Sequence, residues 1–378
     1  MKKILFVDHT AVMGGAELSL FDLATAYAET SQVLLFEDGV LRERLDKANV
    51  TVKIAQASSA MLELRTSSGL NALASVPELW QLAGQISQLA ANCDLILANS
   101  QKAFVAAALA TLRGSTPVYW YLHDIITAKH FSRINRLVVA SLANRFATKV
   151  LVNSEATRKA FIDAGGKAPI HVVYNGFKTQ KFEAIADTDS LQIRDQLGIG
   201  NVPLVGLFSR LSYWKGQHIL LEAVRKLPQV HTILVGEALF GEREYDERLK
   251  ELAATPELTG RVHWLGFRDD IPALMKACDI VVHTSTEPEP FGRVIVEGQL
   301  AQRPVIASAA GGALELIEDG RNGLLFPPEN AIALRQSIEK LLDNPNLAKS
   351  LAQQGYSDAK TDFALETILQ SFAQAVST

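Results

Sequence analysis

The sequence predicts an α/β protein of two doubly wound domains, each a parallel sheet covered by helices. Three observations carry that expectation. Short, fully apolar runs recur with helix-compatible segments between several of them, the pattern of strands buried on both faces. The 378 residues exceed what one core usually serves, so two domains of roughly 100–200 residues are expected. A polar stretch from Phe177 to Asn201 interrupts the alternation once and reads as the interdomain connection.

In the first half the strand-like runs are Lys3–Asp8, Val33–Phe36, Val50–Ile54, Asp94–Ala98, Val118–Leu122, Lys149–Val152 and Ile170–Tyr174. After the first comes Val12–Met13–Gly14–Gly15, then Glu17–Ala28 with helical spacing. A glycine turn between strand and helix allows the close backbone approach that receives an anion, and it also serves as a plain tight turn. The dinucleotide fingerprint G-x-G-x-x-G is absent. Ligands of such sheets sit outside the carboxyl ends of the strands. His123 lies at such an end, directly after Val118–Leu122, where a histidine is more often structural than catalytic.

From Ile125 to Ser154 there is no acidic residue, yet Lys129, His130, Arg133, Arg136, Arg145 and Lys149 all occur. On a helical projection Lys129, Arg133 and Arg136 share one face, and Phe131, Ile134, Val138 and Leu142 share the other. Two readings stand: a surface for anionic lipid or an anionic acceptor, or a domain helix with its apolar stripe on the sheet and its charges in water. Within the connection, Asp187 and Asp189 form a D-x-D pair with no third ligand nearby, and they read as solvated.

The second half repeats the alternation with Val202–Phe208, Thr232–Val235, Val262–Trp264, Ile280–His283, Pro304–Ala307 and Gly323–Phe326. Arg210 and Lys215 bracket the loop after its first strand, a good geometry for clamping a diphosphate. Gly266 to Pro272 offers a loop where a flat base could lie. Thr286 to Gly298, TEPEPFGRVIVEG, holds Glu289 and Glu297 on either side of a turn that opens a helix. Unpaired amides and the helix dipole favour phosphate there, and carboxylates accept hydrogen bonds from hydroxyls. That suits a nucleotide-sugar, with Glu297 on the ribose and Glu289 on the sugar. Taken alone, the same stretch is also an ordinary strand–turn–helix with solvated glutamates.

Hydrophobic residues at 48% and charged residues at 21% are those of a globular protein. A net charge of −4 gives no general field for nucleic acid. Cys93 and Cys278 follow no disulfide or metal spacing, which fits a reducing compartment. The N-terminus is too quickly polar for a secretory leader, and no window approaches a spanning helix. A cytoplasmic protein is expected, with a possible peripheral place at the inner membrane face.

Six stretches then converge: GLFSRLSYWKG, ILVGE, VHWLGFRDDIPALM, ACDIVVHTSTEPEPFGRVIVEG, RPVIASAAGGALELI and NGLLF, between Gly206 and Phe326. In this order the chain resembles the retaining glycosyltransferases of family four, the glycosyl transferases group 1, which have the GT-B fold. The resemblance covers nearly the whole chain. It implies two Rossmann-like domains facing across a cleft. Residues 1–180 would bind the acceptor and include a returning C-terminal helix, 357–378, while residues 190–356 would bind the nucleotide-sugar.

Carried over by position, Arg210 and Lys215 would neutralise the diphosphate, Glu297 would bind ribose hydroxyls and Glu289 hydroxyls of the transferred sugar. The backbone of Gly292, Arg293 and Val294, with Phe291 beside it, would meet the phosphates, and Arg268 would lie by the base. Gly14 and Gly15 would close on the diphosphate from the other domain, with His123 beside the sugar. The implied reaction is metal- and cofactor-independent transfer of a hexose, best taken as glucose from UDP-glucose, to a glycan or lipid-linked hydroxyl. A non-catalytic nucleotide-sugar-binding subunit and a sugar-nucleotide epimerase are the alternatives. Two departures stand out. Lys178 follows Asn175–Gly176–Phe177 where the family usually has aspartate, and Asp38 to Ala90 matches nothing specific.

Overall fold

The computed structural model describes residues 2–55, 76–126, 132–238 and 241–377. Two compact units emerge, residues 1–176 with 368–378, and residues 177–367.

The first unit is a seven-stranded sheet of β1 (Ile4–Asp8), β2 (Gln32–Leu35), β3 (Thr51–Ile54), β4 (Leu95–Ala98), β5 (Val118–Leu122), β6 (Ala147–Val152) and β7 (Ile170–Val172). The order is β3-β2-β1-β4-β5-β6-β7 and every pairing is parallel. Strands β1, β4 and β5 are buried throughout, because helices cover both faces. On one face Trp120 stacks on Phe104 at 4.7 Å between ring centres. On the other, the Tyr121 hydroxyl donates to the Val173 carbonyl at 2.7 Å. The last helix, Leu365–Ser377, adds Ile368, Phe372, Ala375 and Val376 to this second core, with Phe372 edge-on to Tyr27 at 5.6 Å.

The second unit is a six-stranded sheet of β8 (Leu204–Phe208), β9 (His231–Val235), β10 (Val262–Gly266), β11 (Ile280–His283), β12 (Val305–Ser308) and β13 (Leu324–Phe326). Its order, β10-β9-β8-β11-β12-β13, is again all parallel. In both units the strand order reverses direction beside the first strand, between β1 and β4 and between β8 and β11. Such switch points open a crevice at the carboxyl ends of the strands.

The structure corrects three expectations. The stretch from Phe177 to Asn201 is not a bare connection: it forms helices Gln180–Glu183 and Asp187–Gln196 within the second unit. Arg194 ties the longer one down, donating to the carbonyls of Gly200 and Ala277 at 2.8 and 2.6 Å. The segment that rejoins the first unit begins at Ile368, since helix Pro345–Asp362 stays with the second. On helix Arg133–Phe146 it is Val139, Ala140 and Ala143 that face the core. Ile134 and Val138, against the sheet on one of the two readings, are 72% and 51% exposed, and Leu137 is 52% exposed. Lys129, His130 and Phe131 lie outside the described residues.

Candidate active site

The site is built at the carboxyl ends of β8 and β11. The loop after β8 turns through a short 3-10 segment, Tyr213–Lys215, and Gly216 caps the next helix with φ 71°. A Cβ on Gly216 would stand 2.1 Å from the Thr284 carbonyl oxygen, so only glycine permits this approach. The two loops are then laced together. Thr284 Oγ1 donates to the Lys215 carbonyl at 2.8 Å, and the Thr286 amide to the Trp214 carbonyl at 2.8 Å.

That lacing delivers Lys215 to Glu289. The ammonium lies 2.5 Å from Glu289 Oε1, and both side chains are only 14–15% exposed. The other carboxylate oxygen is met by His283 Nε2 at 2.5 Å and by the Ser285 hydroxyl at 2.8 Å. Burial by itself would raise the Glu289 pKa, but the Lys215 charge, His283 and their hydrogen bonds hold it well below the usual carboxylate range. Glu289 is therefore a fixed anion with a set orientation. Its backbone is pinned as well, its carbonyl accepting from the Gly312 amide at 2.8 Å. Gly311 has φ 61°, and a Cβ there would come within 2.3 Å of that same carbonyl oxygen.

Three residues beyond Glu289, Gly292 (φ 98°) caps helix Arg293–Leu300, which opens beside it. The first amides of that helix, Arg293 and Val294, are the anion-accepting end of a dipole. Phe291 is buried, its ring stacked near Phe177 and edge-on to Phe363. Its side chain therefore anchors the turn rather than lining the site. Arg293 packs its guanidinium 4.4 Å from the Phe177 ring centre and lies 3.8 Å from Glu297 Oε1. Burial pushes the Glu297 pKa up, opposed by Arg293 and Lys181.

Arg210 sits in the β8 loop, 5.8 Å from the Trp214 ring, whose face also receives Lys215 at 4.1 Å. Arg268 follows β10 at the sheet edge, in a two-pronged pair with Asp270. Next to it the exposed Phe267 donates its amide to Glu237 at 3.2 Å.

Gly14, Gly15 and His123 belong to the first unit, at the carboxyl ends of its central strands. Gly14 caps helix Gly15–Ala26. His123 Nε2 lies 2.9 Å from Asn99 Oδ1, and Asn99 Nδ2 donates to the fully buried Asp8 at 2.7 Å. Since the Asn99 nitrogen is the donor to Asp8, its oxygen accepts, and His123 carries its proton on Nε2. Beside this chain Glu17 folds back over Gly14 and takes the amides of Gly14 and its own residue. Burial, then Asp8 and Asp124, raise its pKa to about 8.

Sequence reasoning assigned no role to His283, Ser285, Asp8, Asn99, Glu17 or Glu237. His283 and Asp8 carried a signal, each being the polar residue that closes an otherwise apolar strand at a switch point. Among the described residues no group of three or more His, Cys, Asp or Glu is arranged to hold a metal. No helix among them is long and apolar enough to cross a membrane.

This combination, two parallel sheets with a cation-fixed carboxylate and a helix opening at one switch point, is that of a GT-B glycosyltransferase. Residues 189–358 match the Glycosyl transferases group 1 family and residues 13–181 match Glycosyltransferase Family 4. The HepE protein of Anabaena, in its crystal structure with UDP and glucose, is 42% identical across the whole of both chains with a TM-score of 0.91. Its complex with UDP-glucose gives 43% and 0.90, again over both full lengths. The chain belongs to the family four (group 1) GT-B glycosyltransferases. Among curated relatives, the lipopolysaccharide core biosynthesis glycosyltransferase LpsE of Rhizobium meliloti is 29% identical over 60% of this chain. The chain spans 63% of that relative's length, and half of the spore coat protein SA of Bacillus subtilis. WaaG, a glycosyltransferase of lipopolysaccharide biosynthesis, shares the fold at 17% identity with a TM-score of 0.73.

Proposed function

We propose that the chain is a retaining hexosyltransferase that moves glucose from UDP-glucose to a hydroxyl of a growing glycan or lipid-linked acceptor. The observation that carries this is Glu289, held as an oriented carboxylate by Lys215, His283 and Ser285 beside the opening of helix Arg293–Leu300. The similarity to HepE, crystallised with UDP-glucose, supports the choice of donor.

In this reading Glu289 accepts hydrogen bonds from sugar hydroxyls and Glu297 from the ribose. Lys215, Arg210 and the amides of Gly292, Arg293 and Val294 meet the diphosphate, with Arg268 by the base. His123 and the Gly14–Gly15 turn, whose Gly14 amide is held by Glu17, are the first unit's substrate-facing groups. The bond from the anomeric carbon to the β-phosphate oxygen breaks, and its electron pair leaves with the diphosphate. The acceptor oxygen bonds to the same carbon on the same face, and its proton passes to the departing phosphate oxygen. Glu289 is engaged on both oxygens, so it orients the sugar rather than attacking it. Since protein cations and a helix terminus neutralise the leaving group, the transfer is proposed to need no metal, and full turnover in EDTA is expected.

A thermal-shift panel of UDP-, GDP- and ADP-sugars tests the donor. A ligand at 100 times its Kd adds about 2.7 kcal/mol, so UDP-glucose should stand apart. NMR of the product should show the donor's anomeric configuration. Epimerised sugar appearing without any acceptor would instead make the chain an epimerase. The exposed Ile134, Leu137 and Val138 beside Arg133 and Arg136, with no acidic residue from Ile125 to Ser154, support peripheral contact with an anionic bilayer. Co-sedimentation with phosphatidylglycerol vesicles should be lost in Ile134→Asp/Leu137→Asp, and equal binding by that variant would remove the contact.

A further inference from the structure

The loop that carries Arg210 and Lys215 has a second set of ties besides those to Thr284 and Thr286. They run to two helices of the same unit, Gln217–Val224, which the loop enters, and Arg243–Ala253, which follows β9. Gln217 is the first residue of its helix and is fully buried. Its Nε2 donates to the Ser209 hydroxyl and to the Arg210 carbonyl, both at 2.9 Å. A carbonyl only accepts, so this bond identifies the amide nitrogen and leaves Oε1 as the acceptor. Oε1 takes the Tyr245 hydroxyl at 3.2 Å.

Tyr245 is itself held. Its oxygen accepts the His218 amide at 3.2 Å and lies 2.8 Å from His218 Nδ1. Having given its single proton to Gln217, it accepts from Nδ1 as well. Burial pushes the Tyr245 pKa up, so that proton stays in place. The Tyr245 ring meets Tyr213 edge-on at 5.7 Å, and Tyr213 stacks on His218 at 4.8 Å. The Ser212 hydroxyl donates to Glu242 at 2.9 Å, and the Leu211 amide to the Glu237 carbonyl at 2.9 Å. Every residue from Ser209 to Tyr213 is thereby tied down.

A buried amide is costly unless its bonds are made, and the core alone would be served by an apolar residue, as it is at Ile219, Leu220 and Leu221. What the glutamine adds is a fixed place for the Arg210 backbone, since a fully satisfied buried network rigidifies what it holds. We propose that Gln217 and Tyr245 are positioning residues for transfer. Tyr245 orients the Gln217 amide, and Gln217 sets the backbone from which the Arg210 guanidinium reaches the diphosphate. This rests on the reading of Arg210 as a diphosphate contact. Lys215 is then set from the β11 loop and Arg210 from the β9 side, so the two cations of one loop are aimed separately.

The test is calorimetric titration of the full chain with UDP, with the Tm of each variant recorded alongside. Gln217→Met keeps the bulk of the side chain and removes its donors, and should raise the UDP Kd about tenfold. Tyr245→Phe keeps the ring packing and removes one hydroxyl, and should raise it about threefold. In an Arg210→Ala background neither substitution should weaken UDP further, while each should lower Tm as much as it does with Arg210 present. A merely structural network would change affinity by the same factor in both backgrounds. That result, or wild-type affinity in both single variants, overturns the proposal. Tyr245→Phe gives the reading even where Gln217→Met folds poorly. If UDP fails to bind the wild type, the donor reading falls first, and Arg210 has no diphosphate to be aimed at.

Discussion

Replacing Lys215 by alanine should damage stability and turnover by separable amounts. The ammonium is 2.5 Å from Glu289 and the pair is nearly buried, so its removal leaves a carboxylate facing His283 and Ser285 alone. Breaking a buried pair costs about 3–5 kcal/mol; with two partners remaining, about 2–3 kcal/mol is expected here. For a unit of this size that is a Tm loss of roughly 5–10 °C in the transition of the second unit. Turnover should fall by at least ~10²-fold, the effect of deleting one fixed donor aimed at developing charge. A cycle with Glu289→Gln separates the two. Without the carboxylate, Lys215→Ala should cost less stability but still lose the diphosphate contact. The Glu289 pKa lies below its unfolded value, so its contribution is present above the ordinary glutamate range and is lost as pH falls through the folded pKa. Lys215→Ala should therefore lose stability at neutral pH and differ little from wild type once both are acid-destabilised. Near-normal turnover together with an unshifted melting curve would refute the reasoning.

Three further outcomes are expected. Glu297→Ala should weaken UDP binding measured by calorimetry while leaving the melting temperature nearly unchanged; unaltered affinity would remove the ribose role. Glu17, with its pKa raised to about 8 from 4.5, keeps a proton in the folded state that the unfolded chain gives up. Its contribution is full below pH 4.5 and is lost as pH rises to about 8, by up to ~1.4 kcal/mol per unit. Glu17→Gln should flatten the melting profile across that window, and superimposable profiles would contradict the raised pKa. Gly216→Ala forces a positive φ worth about 1–2 kcal/mol and pushes Cβ onto the Thr284 carbonyl. It should lower Tm and, by parting the two loops, lower turnover more than it raises KM; unchanged kinetics would mean the lacing does not position Lys215.

The strands were legible because nothing else explains runs such as Ile4–Val7, Val118–Leu122 and Leu204–Phe208, with no charged residue at any position. Length and alternation then implied the parallel sheets. What escaped was information about partners. A helical projection of Arg133–Phe146 weighs large side chains, whereas the packing surface is made by Val139, Ala140 and Ala143, so of the two readings the one that laid Ile134 and Val138 on the sheet fails. The helix Asp187–Gln196 looked like linker because it is polar; Arg194 holds it through carbonyls that no sequence pattern marks. At the site, Lys215 and Glu289 were each singled out, but with separate tasks. Their pairing depends on two loops 70 residues apart meeting at Gly216 and Thr284. His283 stayed hidden for the same reason, reading as the end of an apolar run until Glu289 was placed against it.

The core behind β1 has an order-of-synthesis consequence. Ile368, Phe372, Ala375 and Val376 complete a packing surface whose other members all precede Gly176. On a ribosome the amino-terminal sheet must therefore wait while nearly two hundred intervening residues are made, about 10–40 s at ordinary elongation rates. During that wait Tyr27 and its neighbours have an uncovered apolar face, a natural target for a chaperone and the place where a nascent chain of this kind would first go astray.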